Sequence, residues 1–457
     1  MNENVSSYFD ALKGKNVVVL GIGVSNRPLI RMLLDRGISV TACDKTEREN
    51  LDAEVMELEA AGAKLRVGSS YLDGLTADVV FRTPGMHPNI PALLALREKG
   101  AVITSEMEAF FSVCPCPILA VTGSDGKTTT TTLISEILKK AGYNVWVGGN
   151  IGQPLLPSAD KMKATDLAVV ELSSFQLMNM TQSPHVAVIT NLAPNHLDVH
   201  KDMNEYVQAK ENLYLHQTDA DIVVLNRDNA ITASFAAKAK GRTVWFSRQT
   251  SLTDGAWFDG ETIWYQGKAV MTRRDILLPG LHNVENYMAA LCAVEEYASA
   301  EDVLAVARTF GGVEHRIELV RIKNGVRWYN DSIASSPTRT IAGLHAFDQK
   351  VILIAGGYDK KIPFDVLGPE ITAHVKRLIL CGATADQIRQ AVVSADGYSE
   401  GVPEIVTVST LREAVLDADR NATSGDIVTL SPACAAFDQF KNFMVRGKTF
   451  KELVNGL

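Results

Sequence analysis

The chain has 457 residues, 46% hydrophobic and 21% charged, enough to bury several cores; at roughly 150 residues per domain it predicts about three domains. Its formal charge of −8 at pH 7 argues against a nucleic-acid partner, which would call for a basic excess. No apolar run approaches membrane-spanning length and the first residues lack an apolar signal core, so a cytoplasmic protein without a membrane partner is expected.

The first segment opens with a strand over 16–20, then Gly21-Ile22-Gly23-Val24-Ser25-Asn26 and a helix; a second strand over 38–42 runs up to Asp44. Strand, glycine turn, helix, strand and acidic residue outline a dinucleotide-type fold, although Asn26 replaces the third glycine. ADVVFRTPG and AVITSEME continue the strand–helix alternation to about residue 106. The cysteines, Cys43, Cys114, Cys116, Cys292, Cys381 and Cys434, show neither CxxC nor zinc spacing, and reduced thiols are expected.

The central segment begins with ILAVTGSDGKTTTTTLISEIL over 118–138. It reads as a buried strand, a polar loop ending in Gly126-Lys127-Thr128, and a helix with apolar pairs at Leu133/Ile134 and Ile137/Leu138. Such a junction cradles phosphate. Free loop N–H groups and the positive helix end face the anion, Lys127 adds a cation for the β and γ phosphates, and Thr128 offers a hydroxyl to Mg²⁺. The loop is shorter than the general pattern, because Val121 stands where a first glycine would be and Gly123 is the upstream glycine. Strands over 167–170, 185–190, 222–225 and 243–246 follow. DGAWFDGETIWYQGKAV reads as an antiparallel appendage and HNVENYMAALCAVEEYA as a helix.

The last segment starts near Gly311-Gly312. VRWYND, VILIAGG, RLILCG, EIVTV and DIVTLSP read as strands, each followed by a helix or loop, which predicts another open parallel sheet. Polar clusters fall at strand ends, where open α/β sheets bind ligands: Glu171 before LSSFQL, NLAPNHLD after the next strand, and Lys210 on the following helix.

These motifs together resemble the Mur ligase family, and within it the branch that adds D-glutamate. The resemblance spans essentially the whole chain: TGSDGKTTT, GGNIG, ELSSFQL, NLAPNHLDVH, the Lys210 helix, GLHNVEN, EHRIE, NDSIASSP and SPACAAFDQFKNF. It implies an α/β fold of three domains: a Rossmann-like UDP-substrate domain over 1–106, a central P-loop ATPase-like parallel-sheet domain over 107–312, and a C-terminal Rossmann-like ligase domain over 313–457. It implies ATP and Mg²⁺ as cofactors, UDP-N-acetylmuramoyl-L-alanine and D-glutamate as substrates, an acyl-phosphate intermediate, a role in peptidoglycan precursor synthesis, and a monomer.

The resemblance also implies roles. Lys127, His196 and Lys210 would be catalytic. Gly123, Ser124, Asp125, Gly126, Lys127, Thr128, Thr129, Asn283, Asn286, Arg316 and Asp331 would bind ATP. Val24, Ser25, Asn26, Asp44 and Gly85 would meet the uridine nucleotide, and Asn150, Ser173 and Gln176 the muramoyl-alanine part. Lys360, Ala436, Phe437 and Phe443 would take D-glutamate. Thr128, Glu171, His196 and Lys210 would hold magnesium, Lys210 as a CO₂-derived carbamate, since a plain ammonium repels the cation. Many relatives have serine in place of Ala436 and lysine in place of Ile333.

A folate polyglutamating ligase of the same superfamily is a rival, against which ELSSFQL and the SPACA ending speak. A nicotinamide oxidoreductase built on GIGVSN and Asp44 would leave the phosphate loop, Glu171 and the last segment without a task. A non-catalytic nucleotide-binding scaffold would have no use for metal ligands or Lys210.

Overall fold

The computed structural model describes residues 3–194 and 199–457. The chain divides into two compact units, Met1–Thr272 with Glu285–Val306, and Arg273–Val284 with Ala307–Leu457. Among the described residues the strands form three sheets, two in the first unit and one in the second.

The first sheet contains β1 (Val17–Leu20), β2 (Val40–Asp44), β3 (Lys64–Val67), β4 (Val79–Arg82) and β5 (Val102–Thr104). Their order is β3-β2-β1-β4-β5, parallel throughout. The VVVL of β1 is buried along its whole length, as a central parallel strand covered on both faces requires. The chain leaves β1 through Gly21 at φ +87°, where a Cβ would strike Thr83. Only glycine fits this exit turn.

The second sheet contains β6 (Ile118–Thr122), β7 (Val145–Gly149), β8 (Leu167–Glu171), β9 (Val186–Ile189), β10 (Ile222–Asn226), β11 (Arg242–Ser247), β12 (Ala256–Phe258), β13 (Thr262–Tyr265) and β14 (Lys268–Thr272). The order is β14-β13-β12-β11-β10-β9-β6-β8-β7. After β8 the chain crosses over β6 to form β9 on its other side, so loops leave the carboxyl ends of β8 and β9 on opposite flanks of β6. That switch point is where an open α/β sheet leaves a crevice. The glycine- and aromatic-rich region is antiparallel as its sequence predicts, but β12 pairs with β11 and so extends the main sheet. The helix Lys127–Lys140 packs Leu133, Ile134, Ile137 and Leu138 fully out of solvent. The 3–4 residue spacing puts all four on one stripe, and each buried side chain contributes on the order of 1.5–3 kcal/mol.

The third sheet contains β15 (Glu318–Lys323), β16 (Val326–Asn330), β17 (Val351–Ala355), β18 (Val375–Leu380), β19 (Glu404–Thr407) and β20 (Ile427–Leu430), ordered β15-β16-β20-β17-β18-β19. It is parallel except at one edge, where β15 and β16 form an antiparallel hairpin. Asn324 at φ +51° and Gly325 at φ +80° make its two-residue turn, the Asn-Gly pair that a tight hairpin favours. No helix among the described residues is long and apolar enough to cross a membrane.

Candidate active site

The carboxyl end of β6 opens into the loop Gly123-Ser124-Asp125-Gly126 and then the helix Lys127–Lys140. Gly123 sits at φ +150°, where a Cβ would run into the Thr190 hydroxyl, and Gly126 at φ +79°, where it would run into the Asn286 side chain. Both glycines are required by close approach as well as by backbone conformation. The loop is pinned from the segment after β9. Ser124 N donates to Asn191 O at 2.8 Å and Asp125 N to Asn191 Oδ1 at 3.0 Å. Ser124 Oγ donates to Ala193 O at 3.0 Å and accepts from Ala193 N at 2.9 Å. Thr190 Oγ1 donates to Asp125 O at 2.6 Å.

Lys127 Nζ donates to Gly123 O at 3.0 Å and Ser124 O at 2.9 Å, folding back over its own loop. Thr128 and Thr129 follow in the first helical turn, half-buried. Thr130 Oγ1 donates to Asn286 Oδ1 at 3.2 Å, so Asn286 borders the start of this helix. The loop, the helix start and Lys127 therefore make the cationic, donor-rich cradle that phosphate needs.

Glu171 ends β8 with 1% exposure. Its Oε1 accepts from Asn150 Nδ2 at 2.7 Å. Its Oε2 has no hydrogen-bond partner among the described residues. A buried carboxylate oxygen left without a donor is expensive unless a cation takes it. Lys210, also 1% exposed, donates from Nζ to Thr122 Oγ1 and to Gly123 O, both at 3.0 Å. Its ammonium lies 4.9 Å from the Tyr206 ring centroid. Burial pushes the Lys210 ammonium well below the ordinary lysine range, the positive Lys127 pushes it further, and the Glu171 carboxylate opposes both. Thr128 and Glu171 offer the oxygen donors a hard cation takes, whereas Lys210 in its amine form does not. His196 lies outside the described residues.

Ser173 caps the short helix Ser174–Leu177 in a reciprocal box with Gln176. Gln176 lines a pocket with Val24, Ser25, Asn26, Glu106 and Gly149. Of the expected substrate residues of the first unit, the cavity is lined by Val24, Ser25, Asn26 and Gln176, and not by Asp44, Gly85, Asn150 or Ser173. Asn26 braces the turn after β1 by donating to Leu20 O at 3.2 Å and Gly21 O at 2.9 Å, and its Oδ1 has no partner among the described residues. Asp44 accepts from Ile22 N at 2.8 Å and from Thr46 N and Oγ1 at 2.9 and 2.8 Å. Burial raises its pKa, but these bonds outweigh it and leave the carboxyl below its ordinary value. Around Gly85 a Cβ would meet open space.

Three groups in the first unit escaped the sequence reading. Glu106, buried in the same pocket, is pushed up to about 7 by burial against the opposing N–H groups of Leu156 and Leu155. Arg82 is buried at the end of β4 and donates to the carbonyls of Thr83, Pro84, Met86 and, at 3.3 Å, Phe175. His200 stacks on Phe175 with centroids 5.3 Å apart and bonds Ser174 Oγ through Nε2 at 2.8 Å.

In the second unit, Arg316 is exposed between His315 at φ +67° and Ile317 at φ +42°. Positive φ at the β-branched Ile317 is a genuine strain. It is held by Ile317 N donating to Asp331 Oδ1 at 3.3 Å, while Asp331 Oδ2 accepts from Ser431 Oγ at 2.8 Å. Asn283 donates from Nδ2 to Pro279 O at 2.6 Å. Lys360 Nζ reaches Ser335 O at 3.2 Å. Phe437 is exposed and packs edge-on to Tyr358, Ala436 is buried, and Phe443 packs edge-on to His315. Arg446, also missed in the sequence, is buried and donates to Ser332 Oγ, Ser332 O, Cys434 O and Ala435 O between 3.0 and 3.1 Å.

Burial lifts the Asp331 carboxyl from 3.8 to about 7, against the bonds from Ser431 and Ile317 and the positive Arg316 and Arg339. The folded chain then holds this proton more tightly than the unfolded chain does. The stabilisation is complete below pH 3.8 and is lost as pH rises through about 7. Asp331→Asn is expected to flatten the stability–pH curve over that interval, where one such group contributes a slope of at most about 1.4 kcal/mol per pH unit. Denaturant unfolding of both proteins across that range checks this; parallel curves would contradict it.

The fold and this site define an α/β protein with a phosphate-loop cradle and a buried carboxylate at the sheet's switch point. Residues 121–294 match the Mur ligase middle domain and 315–434 the Mur ligase glutamate ligase domain. The UDP-N-acetylmuramoylalanine–D-glutamate ligases of Acetivibrio thermocellus and Clostridium novyi are 52% and 51% identical to the chain, each aligned over 100% of both proteins. The chain belongs to the Mur ligase family. Among solved structures, the UDP-N-acetylmuramate-alanine ligase of Thermotoga maritima shares the fold with TM-score 0.58 at 18% identity, covering 97% of this chain and 99% of that one.

Proposed function

We propose that the protein is an ATP-dependent ligase that joins D-glutamate to UDP-N-acetylmuramoyl-L-alanine, releasing ADP and phosphate, in the cytoplasmic stage of peptidoglycan precursor synthesis. The observation that carries this reading is the Glu171 carboxylate, buried with one oxygen unpartnered among the described residues, beside a phosphate cradle and the buried Lys210. Full-length identity to ligases of that name supports the choice of substrates.

Joining a carboxylate to an amine is uphill in water. The γ-phosphoryl group of ATP moves to the alanyl carboxylate, leaving ADP and an acyl phosphate. The D-glutamate nitrogen then attacks the carbonyl carbon, the C–O bond to phosphate breaks, and the amine proton is released. Lys127 and the loop N–H groups stabilise charge on the moving phosphoryl group. Magnesium, where bound, neutralises phosphate charge, and Thr128 and Glu171 are the described residues suited to hold it. His196 is assigned to a second magnesium.

Lys210 is assigned as a carbamate. Burial favours its neutral amine, the form whose lone pair attacks CO₂ to give an N-bound carboxylate and a proton. That product is an oxygen donor of the kind a hard cation takes. Asn283, Asn286, Arg316 and Asp331 are assigned to the nucleotide, Arg316 because a planar guanidinium suits phosphate oxygens. Val24, Ser25, Asn26, Asp44 and Gly85 are assigned to the uridine diphosphate, and Asn150, Ser173 and Gln176 to the muramoyl-alanine. Lys360, Ala436, Phe437 and Phe443 are assigned to D-glutamate. Ala436 lacks a hydroxyl, so its backbone N–H is the donor left at that position.

The test is a coupled ADP-release assay with each amino-acid isomer in turn. ADP is expected only when D-glutamate, UDP-N-acetylmuramoyl-L-alanine and Mg²⁺ are all present. Intact ATP under those conditions, or equal turnover with L-glutamate, would overturn the reading.

A further inference from the structure

We propose that His345, Glu370 and His374 form a binding site for a divalent transition-metal ion of the zinc class, in the second unit and apart from the residues assigned to substrates. His345 is the residue that ends the helix Pro337–Leu344. Glu370 and His374 lie one turn apart on the helix Leu367–His374, which places them on one face. His345 Nε2 stands 2.6 Å from Glu370 Oε2, and His374 Nε2 stands 3.6 Å from the same oxygen. The two imidazole centroids are 4.8 Å apart. One donor atom from each residue lies within 4.8 Å of the other two.

Three features favour a metal over a surface hydrogen-bond cluster. Two imidazole nitrogens with one carboxylate oxygen are a donor set for zinc-class ions, not for Mg²⁺ or Ca²⁺. Both histidines sit at helix carboxyl ends, where the helix dipole attracts a cation. The side chains are 51%, 31% and 34% exposed, so an ion can enter from solvent and a water can complete a four-coordinate shell. The bound ion would tie the two helices together. The first of them packs Gly343 against Asp331, leaving no room for a Cβ, so the ion would steady the backing of that carboxylate.

The experiment titrates the metal-stripped full chain with Co²⁺ and then Zn²⁺. One Co²⁺ per chain is expected to develop the visible absorption of a low-coordinate site and to be displaced by Zn²⁺. His345→Ala and His374→Ala should each weaken binding by more than about tenfold, and Zn²⁺ should raise the unfolding temperature of the wild type but not of the double variant. Glu171→Gln should keep the ion, which separates this site from the phosphate-loop crevice. Co²⁺ that keeps the spectrum of the free hydrated ion up to millimolar concentration, or uptake unchanged in the double variant, overturns the proposal.

Discussion

Lys210→Ala is expected to abolish ligation, lowering kcat by at least about 10³-fold, the scale seen when a preorganised charge is removed from a phosphoryl-transfer or oxyanion site. The side chain is fully enclosed and its nitrogen is shared between Thr122 Oγ1 and Gly123 O. Removing it costs both acceptors this donor, although Gly123 O keeps Lys127 Nζ and Thr122 Oγ1 keeps its bond to Leu172 O, and it takes away the proposed carbamate. Lys210→Arg separates the two losses. Arginine keeps a cation near those acceptors but cannot become a carbamate, so it too is expected to be inactive while folding normally. Turnover measured in CO₂-depleted buffer should fall for the wild type and return on adding bicarbonate. Near-wild-type turnover by Lys210→Arg would sink the carbamate role.

Arg446→Ala is expected to destabilise the second unit by about 1–3 kcal/mol for each buried acceptor it leaves without a donor. The guanidinium ties Ser332 to the carbonyls of Cys434 and Ala435. Ser332 in turn donates to Phe443 O at 2.8 Å. Without the guanidinium the buried Cys434 O loses its donor, while Ala435 O keeps Tyr358 N at 3.0 Å. The same residues neighbour Ala436 and Phe443, so KM for D-glutamate should rise in whatever fraction stays folded. Denaturant unfolding and a D-glutamate titration check both; a loss under about 1 kcal/mol would mean the network is replaceable.

Long apolar runs made most of the three sheets legible, because central parallel strands are buried on both faces. The strands that the sequence hid are β3, β7 and β15, which are edge or near-edge strands with mostly half-buried residues. Such strands carry little hydrophobic pattern to read. Asn324-Gly325 was the one local signal for β15, and it turns the expected all-parallel third sheet into one with an antiparallel edge. The phosphate cradle was legible because its parts are consecutive in sequence. Arg82 and Arg446 were not, since Arg82 meets Phe175 from 93 positions away and Arg446 meets Ser332 from 114. Nothing local announces such partners. His200 was hidden for a related reason: its meaning comes from stacking on Phe175, a side chain on a different element.

The hydrogen bonds that hold Ser124 and Asp125 to Asn191 and Ala193 shape the anion cradle from within the protein. An arriving phosphate therefore meets a loop whose shape is already set, and little of its binding free energy is diverted into ordering a floppy loop. The same anchoring means that specificity for the rest of the ligand has to arise elsewhere, because a rigid cradle greets every polyphosphate alike.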